Sequence, residues 1–206
     1  MNYQSLIAVD PSLTCSGWAY FSTLESRLLA IGKIKSLPPG TPLAWRLQDL
    51  QHKINRMFDQ LKIINDAVLI CESATTMRDP RAAFKVEQVR GLFEAVARER
   101  GIIVPGRINP RSVQSEVMGL KGKQLSRPVV KEVAVKIVQS VYGERLASFG
   151  FQVDDGHLKA NQDIVDAILI GSLGLARIGQ AHAAQMPLEE LFEVSNRPRQ
   201  RRMTVR

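Results

Sequence analysis

The stretch LIAVDPSLTCSGWAYF, residues 6–21, decides the reading of the fold. Leu6, Ile7, Ala8 and Val9 form an unbroken apolar run, the pattern of a strand covered on both faces, and the run drives straight into an acid, Asp10. SGWAYFS (16–22) reads as a second strand and RLLAIGKIKS (27–36) as a third, joined by short polar links. Three strands in such close succession predict an antiparallel meander. SLPPGTP (36–42) then breaks the chain. From Pro42 to Asn65 the residues Leu43, Leu47, Leu50, Ile54, Met57, Phe58 and Leu61 keep helical spacing. AVLICES (67–73) is another short apolar run that ends in an acid, Glu72.

Beyond it, DPRAAFKVEQVRGLFEAVARERG (79–101) predicts a helix, broken near Gly91 and stopped at Gly101. IIVPGRI (102–108) reads as a strand, and Asn109 with Pro110 as a helix cap and first helical position. Ser126 opens a further helix to about Tyr142, with Pro128 tolerated in its first turn. Residues 143–160 read as a loop, and NQDIVDAILIGSLGLARIG (161–179) as a strongly apolar helix. The expected fold class is α/β: a mixed sheet of three antiparallel strands followed by alternating helices and strands, flanked by helices. The expected organisation is one domain over 1–180, with residues 181–206 as an extension carrying a short helix and a basic tail.

The chain has 206 residues, 45% of them apolar, enough for a substantial core. No apolar run is expected to reach the roughly 18–20 residues that span a bilayer, so no membrane partner is expected. MNYQSL lacks the basic-then-apolar pattern of a secretory leader. Two cysteines, Cys15 and Cys71, without CxxC spacing read as reduced thiols. The expected compartment is therefore intracellular. The formal net charge of +8, with a pI near 9.8, is the electrostatic footprint of a nucleic-acid binder, although charge alone also fits a solvated basic surface. Part of the excess lies in RPRQRRMTVR (197–206), which reads as a flexible arm.

The chemistry is carried by carboxylates in apolar settings. Asp10 and Glu72 each end a strand, while Asp163 and Asp166 stand at i and i+3 on one helix face. Asp166 is flanked by Ile164, Val165, Ala167, Ile168, Leu169 and Ile170. A carboxylate buried there needs a counter-charge, either Arg or Lys or a metal ion. For any single acid a cap or salt bridge suffices, and Asp163 in a first helical turn is favoured by the helix dipole anyway. Four acids gathered at one place would repel unless divalent cations neutralised them. Oxygen-only ligation suits Mg²⁺ or Mn²⁺, and paired ions can hydrolyse a phosphodiester. Beside a basic surface, the pattern points to a metal-dependent nuclease.

The same residues resemble the RuvC-type Holliday junction resolvases of the RNase H-like superfamily. The likeness runs in order through LIAVDPSLTCSGWAYF, RLQDLQHKINRMFDQL, AVLICES, AAFKVEQVRGLFEAVARERGI and NQDIVDAILIG, covering roughly residues 4–178. It implies an RNase H-like fold and a homodimer making paired symmetric nicks across a four-way DNA junction. It implies two Mg²⁺ ions per site, replaceable by Mn²⁺, on Asp10, Glu72, Asp163 and Asp166, with Lys131 near the scissile phosphate. Arg78, Arg111, Lys121 and Lys123 are the expected DNA contacts, and the helix from Ala82 to about Arg98 corresponds to the family's dimer interface.

The chain departs from the family where Ser12 replaces a usual glycine and Gln114 a lysine. Thr75 stands where many members carry a junction-opening aromatic, with Met77 and Arg78 nearby. These departures suggest a divergent branch, from the cytoplasm or nucleoid of a bacterium or phage-infected cell, or from an organelle. Weighed against this reading are a general branched-DNA nuclease, a junction-binding protein that does not cut, and an actin-like kinase, for which the chain is too short. Trp18 and Trp45 are expected in or near the core, and His157 in a polar surface loop.

Overall fold

A computed structural model of the chain describes residues 3–63, 66–73, 79–120 and 125–196. Strands β1 (Ser5–Asp10), β2 (Cys15–Ser22) and β3 (Arg27–Lys35) form the expected antiparallel meander. β4 (Ala67–Glu72) pairs parallel to β1 on its other side, and β5 (Arg107–Ile108) extends the sheet parallel to β4, in the order β3-β2-β1-β4-β5. The helices are α1 (Leu43–Leu61), α2 (Pro80–Glu99), the short α3 (Pro110–Ser112), α4 (Arg127–Ser148), α5 (Asp155–Ala160), α6 (Gln162–Ala184) and α7 (Leu188–Asn196).

The unbroken apolar runs have a direct cause. Side chains alternate across a strand, and both faces of this sheet are covered. Leu6, Ala8, Val68 and Ile70 pack into a layer built with α6 and α4. Ile7, Val9, Leu69 and Cys71 pack into a second layer with α1 and α2. α6 lies along β1 and β2, and its glycines let it approach closely. A Cβ at Gly174 would come within 2.9 Å of Ile70 Cδ1 and Leu6 Cδ2. By length and composition α6 is apolar enough to cross a bilayer, contrary to expectation. Its apolar residues are buried instead against the sheet and its neighbouring helices.

Several expectations are corrected. α2 runs through Gly91 without a break; one mid-helix glycine costs only about 1 kcal/mol, and Val89 and Phe93 on either side are buried. α4 continues to Ser148, anchored by buried Leu146. Within the stretch read as a loop, α5 is capped by Asp154, whose Oδ1 accepts from the His157 amide at 2.9 Å, and it buries Leu158. His157 is therefore helical, its ring packed edge-on to Phe151. The strand expected over 102–108 shrinks to Arg107–Ile108 and a bridge from Ile103 to Val68. Pro105 has no N–H to donate, and Gly106 turns the chain at φ +153°.

Asn109 does cap, its Oδ1 accepting from the Arg111 amide, but α3 passes at once into a π-helical turn, Val113–Val117. The boundary expected at 180 falls inside α6, and α7 adds Leu188, Leu191 and Phe192 to the core. That part of the extension is packed on the domain, while the basic tail lies outside the described residues. Trp18 packs on Gly32, whereas Trp45 stands exposed on α1.

Candidate active site

The parallel register of β1 and β4 sets Val9 against Cys71, so the next residue of each strand, Asp10 and Glu72, stand side by side where the strands end. Both share the alternation of Ala8 and Ile70, which face α6. The first turn of α6 meets them there because Gly17, paired with Asp10 across β1 and β2, has no side chain. A Cβ on Gly17 would lie 1.9 Å from the Asp163 carbonyl oxygen. β1, β4 and α6 thus bring Asp10, Glu72 and Asp166 to one end of one sheet face, with Asp163 beside them.

The electrostatics record this proximity. Burial, and then the charges of Glu72, Asp166 and Asp163, push the Asp10 carboxyl well above its ordinary range against a lesser pull from Arg90. Burial and the Asp166 charge push Glu72 up to about 7, with Arg90 opposing. Burial raises Asp166 to about 6, the hydrogen bond from Gln162 and the nearby Lys131 charge opposing and the Asp163 charge adding. Gln162 Nε2 donates to Asp166 Oδ1 at 2.9 Å. Among the described residues, no hydrogen bond reaches the Asp10 or Glu72 carboxylate.

Asp163 is different. Lys33 Nζ lies 3.2 Å from its Oδ1 and 3.0 Å from its Oδ2, and Cys15 Sγ donates to Oδ2 at 2.8 Å. Burial alone would raise this carboxyl, but these bonds outweigh it and hold Asp163 below its ordinary value. Burial, the bond to Asp163 and that residue's charge push the Cys15 thiol up to about 11, so it is no thiolate near neutrality.

Three further cations surround the site. Arg90, 1% exposed, rises from α2 beneath β4; its Nε donates to the Glu72 carbonyl oxygen at 2.6 Å and its Nη1 pairs with Glu87. Lys131, exposed one helical turn into α4, and Arg127 both lower the Asp166 carboxyl. Sequence reasoning found Lys131 but missed Lys33, Arg90, Arg127 and Cys15. Arg111 is exposed just beyond β5. Arg78, Lys121 and Lys123, like Thr75 and Met77, lie outside the described residues.

Among the described residues, no three His, Cys, Asp or Glu side chains stand together as a ready-made metal group. The donor chemistry nonetheless fits a hard divalent cation. Asp10, Glu72 and Asp166 offer only oxygen, are half-buried, and are raised partly by the charges of neighbouring acids, Asp163 included, a strain that a bound cation would relieve.

No protein-family model matches this chain, and no curated protein does. Solved structures do. The chain superposes on Thermus thermophilus RuvC in complex with a Holliday junction substrate with a TM-score of 0.61, at 18% identity, over 85% of this chain and 96% of that one. The fold is RuvC-like. T. thermophilus RuvC without a stated substrate matches at a TM-score of 0.58 and 19% identity, over 85% of this chain and 96% of that one. The fowlpox virus Holliday junction resolvase matches at 0.54 and 13%, over 84% and 98%. The RuvC-like fold is the one the sequence resemblance implies. Strands β1 and β4 and helix α6 of this chain carry Asp10, Glu72, Asp163 and Asp166.

Proposed function

We propose that the chain is a structure-selective DNA endonuclease that resolves four-way junctions by paired symmetric nicks. In this reading it acts as a homodimer with Mg²⁺, or Mn²⁺ in its place, held by Asp10, Glu72, Asp166 and Asp163. The observation that carries the reading is the convergence of acids from β1, β4 and α6 at one end of a RuvC-like sheet. The net charge of +8 supports a polyanionic substrate. The similar structures named above are resolvases, one of them bound to junction DNA.

The bound ions would supply activation of a water and stabilisation of the leaving oxygen. The chain's residues divide the remaining work. Asp10 and Glu72, fixed by adjacent strands, would hold the ions from the sheet. Asp166, one helical turn into α6, would hold them from the helix. Lys131, already within the electrostatic reach of Asp166, offers a cation to the phosphate being cut. Arg111, with Arg78, Lys121 and Lys123, clamps the flanking phosphates, contacts that position DNA without reading its sequence. A two-fold dimer would set two such sites at a fixed separation, which suits paired nicks. Of the apolar residues on α2, Val89, Phe93 and Val96 are core, while Phe84 is exposed and free to face a partner.

A nicking assay on synthetic four-way, three-way and linear DNA, with and without Mg²⁺, tests the reading. Symmetric paired nicks on the four-way substrate alone, requiring Mg²⁺, are expected. Equal cutting of three-way DNA would make it a general branched-DNA nuclease. Junction binding without cutting would make it a binding protein.

A further inference from the structure

Lys33 is set against Asp163 by the sheet itself. The antiparallel ladders place Asp10, Gly17 and Lys33 in one row across β1, β2 and β3. Directly paired residues of an antiparallel sheet point to the same face, so Lys33 faces α6 as Asp10 does. Gly17, between them, carries no side chain, and the backbone of Asp163 fills that space. The ammonium of Lys33 therefore reaches both oxygens of Asp163, at 3.2 and 3.0 Å, with the two side chains 19% and 20% exposed.

The four acids thus fall into two classes. Asp10 and Glu72 accept no hydrogen bond from a described side chain, and Asp166 accepts one from a neutral amide. Asp163 alone already holds a cation, and Cys15 fixes one of its oxygens besides. Among the described residues, an ion drawn to the first three breaks no ion pair, although the charges of Arg90, Lys131 and Arg127 lie near. An ion that needs Asp163 must break a half-buried, doubly contacted pair.

Resting on the metal-dependent reading above, we infer that Lys33 is a tethered counter-cation at Asp163, which a divalent ion gains as a ligand only by displacing the Lys33 ammonium. Lys33 is a positioning residue in this scheme. It keeps Asp163 neutralised and oriented while the first ion binds, and it makes the second ion the weaker one. The order of loading is then built into the fold.

Binding of Mn²⁺ alone to the full chain, without DNA, tests this through the electron paramagnetic resonance signal of free Mn²⁺. The wild type should show two classes of sites. Lys33→Met and Lys33→Gln should tighten the weaker class about tenfold, the effect of removing roughly 1.4 kcal/mol of competition, and leave the tighter class in place. Lys33→Arg should bind as the wild type does. In an Asp163→Asn background the Lys33 substitutions should change nothing. Isotherms of Lys33→Met and Lys33→Gln that superimpose on the wild type would overturn the inference while leaving the metal site standing. A wild type that binds no more Mn²⁺ than Asp10→Asn would overturn both the inference and the metal-dependent reading.

Discussion

Arg90 on α2 donates through its Nε to the main-chain carbonyl of Glu72 at 2.6 Å. It thereby fixes where β4 ends and where the Glu72 side chain departs. Arg90 is itself held by Glu87, which also binds Arg107 at 3.1 Å, and Arg107 pairs with Glu94 at 2.7 Å. A buried guanidinium is tolerable only with such partners, and removing it leaves the Glu72 carbonyl without this donor and strips Glu87 of one of its two cations. Arg90→Met should cost about 2–4 kcal/mol in urea denaturation. Arg90→Lys should restore charge but not the forked geometry, and so should lower kcat more than it raises KM. Wild-type stability in Arg90→Met would show that the network carries no weight.

Gly17 and Gly91 make a matched pair of tests. A methyl group at Gly17 would lie 1.9 Å from the Asp163 carbonyl oxygen, so α6 would have to retreat from the sheet where the acids meet. Gly17→Ala should cost about 1–3 kcal/mol by overpacking and reduce cleavage far beyond what that loss explains. Nothing lies within 4 Å of a Cβ at Gly91. Gly91→Ala should gain about 0.5–1 kcal/mol, because alanine favours a helix interior. Denaturant midpoints and junction-cleavage rates of the two variants check both statements; equal destabilisation would refute the close-approach argument.

The contrast between these glycines shows what the sequence carries. β1 and β4 were legible because strands covered on both faces must be apolar without alternation, and an acid ending such a run stands out. The carboxylates of α6 were legible for the same reason. α5 was not, because six residues give little periodicity, and only Asp154 as a cap and Leu158 as a buried anchor mark it. Lys33 reads as an ordinary charge on an edge strand; its role appears only when the ladder aligns it with Gly17 and Asp10, 130 positions before its partner. Arg90 does carry a signal in the sequence. It shares the helical stripe of Val86, Phe93 and Ala97, and an arginine on an apolar stripe needs a buried partner.

Lys131 separates a surface role from a chemical one. It is exposed on α4 and, among the described residues, makes no ion pair, yet it lowers the Asp166 carboxyl. Lys131→Ala should leave the denaturation midpoint within about 0.5 kcal/mol of wild type, as surface substitutions do. Cleavage should fall by about 10-fold or more if its cation stabilises the phosphate. Lys131→Arg should recover part of the rate. An unchanged rate in Lys131→Ala would return the residue to the solvated surface.

The acid cluster also predicts how stability depends on pH when no divalent ion is present. In the folded chain Glu72 titrates at about 7 against an ordinary 4.5, and Asp166 at about 6 against 3.8. Between those values the folded state holds more protons than the unfolded chain, so stability falls as pH rises. It is fully present below about pH 4 and lost by the time pH passes 7. In EDTA, Tm should therefore drop between about pH 5 and pH 7.5, and Mg²⁺ at the upper end should restore it, since a ligand that binds only the folded state stabilises it. Asp10→Asn removes the charge at the centre of the cluster. At pH 7.5 in EDTA it should raise stability by on the order of 1–2 kcal/mol and flatten the slope, while abolishing cleavage and leaving junction binding intact. Such a variant, more stable and inert, is the signature of acids kept close for chemistry at the expense of the fold. A flat wild-type profile, or an Asp10→Asn chain less stable than wild type, would mean that the carboxylates do not repel one another as their placement requires.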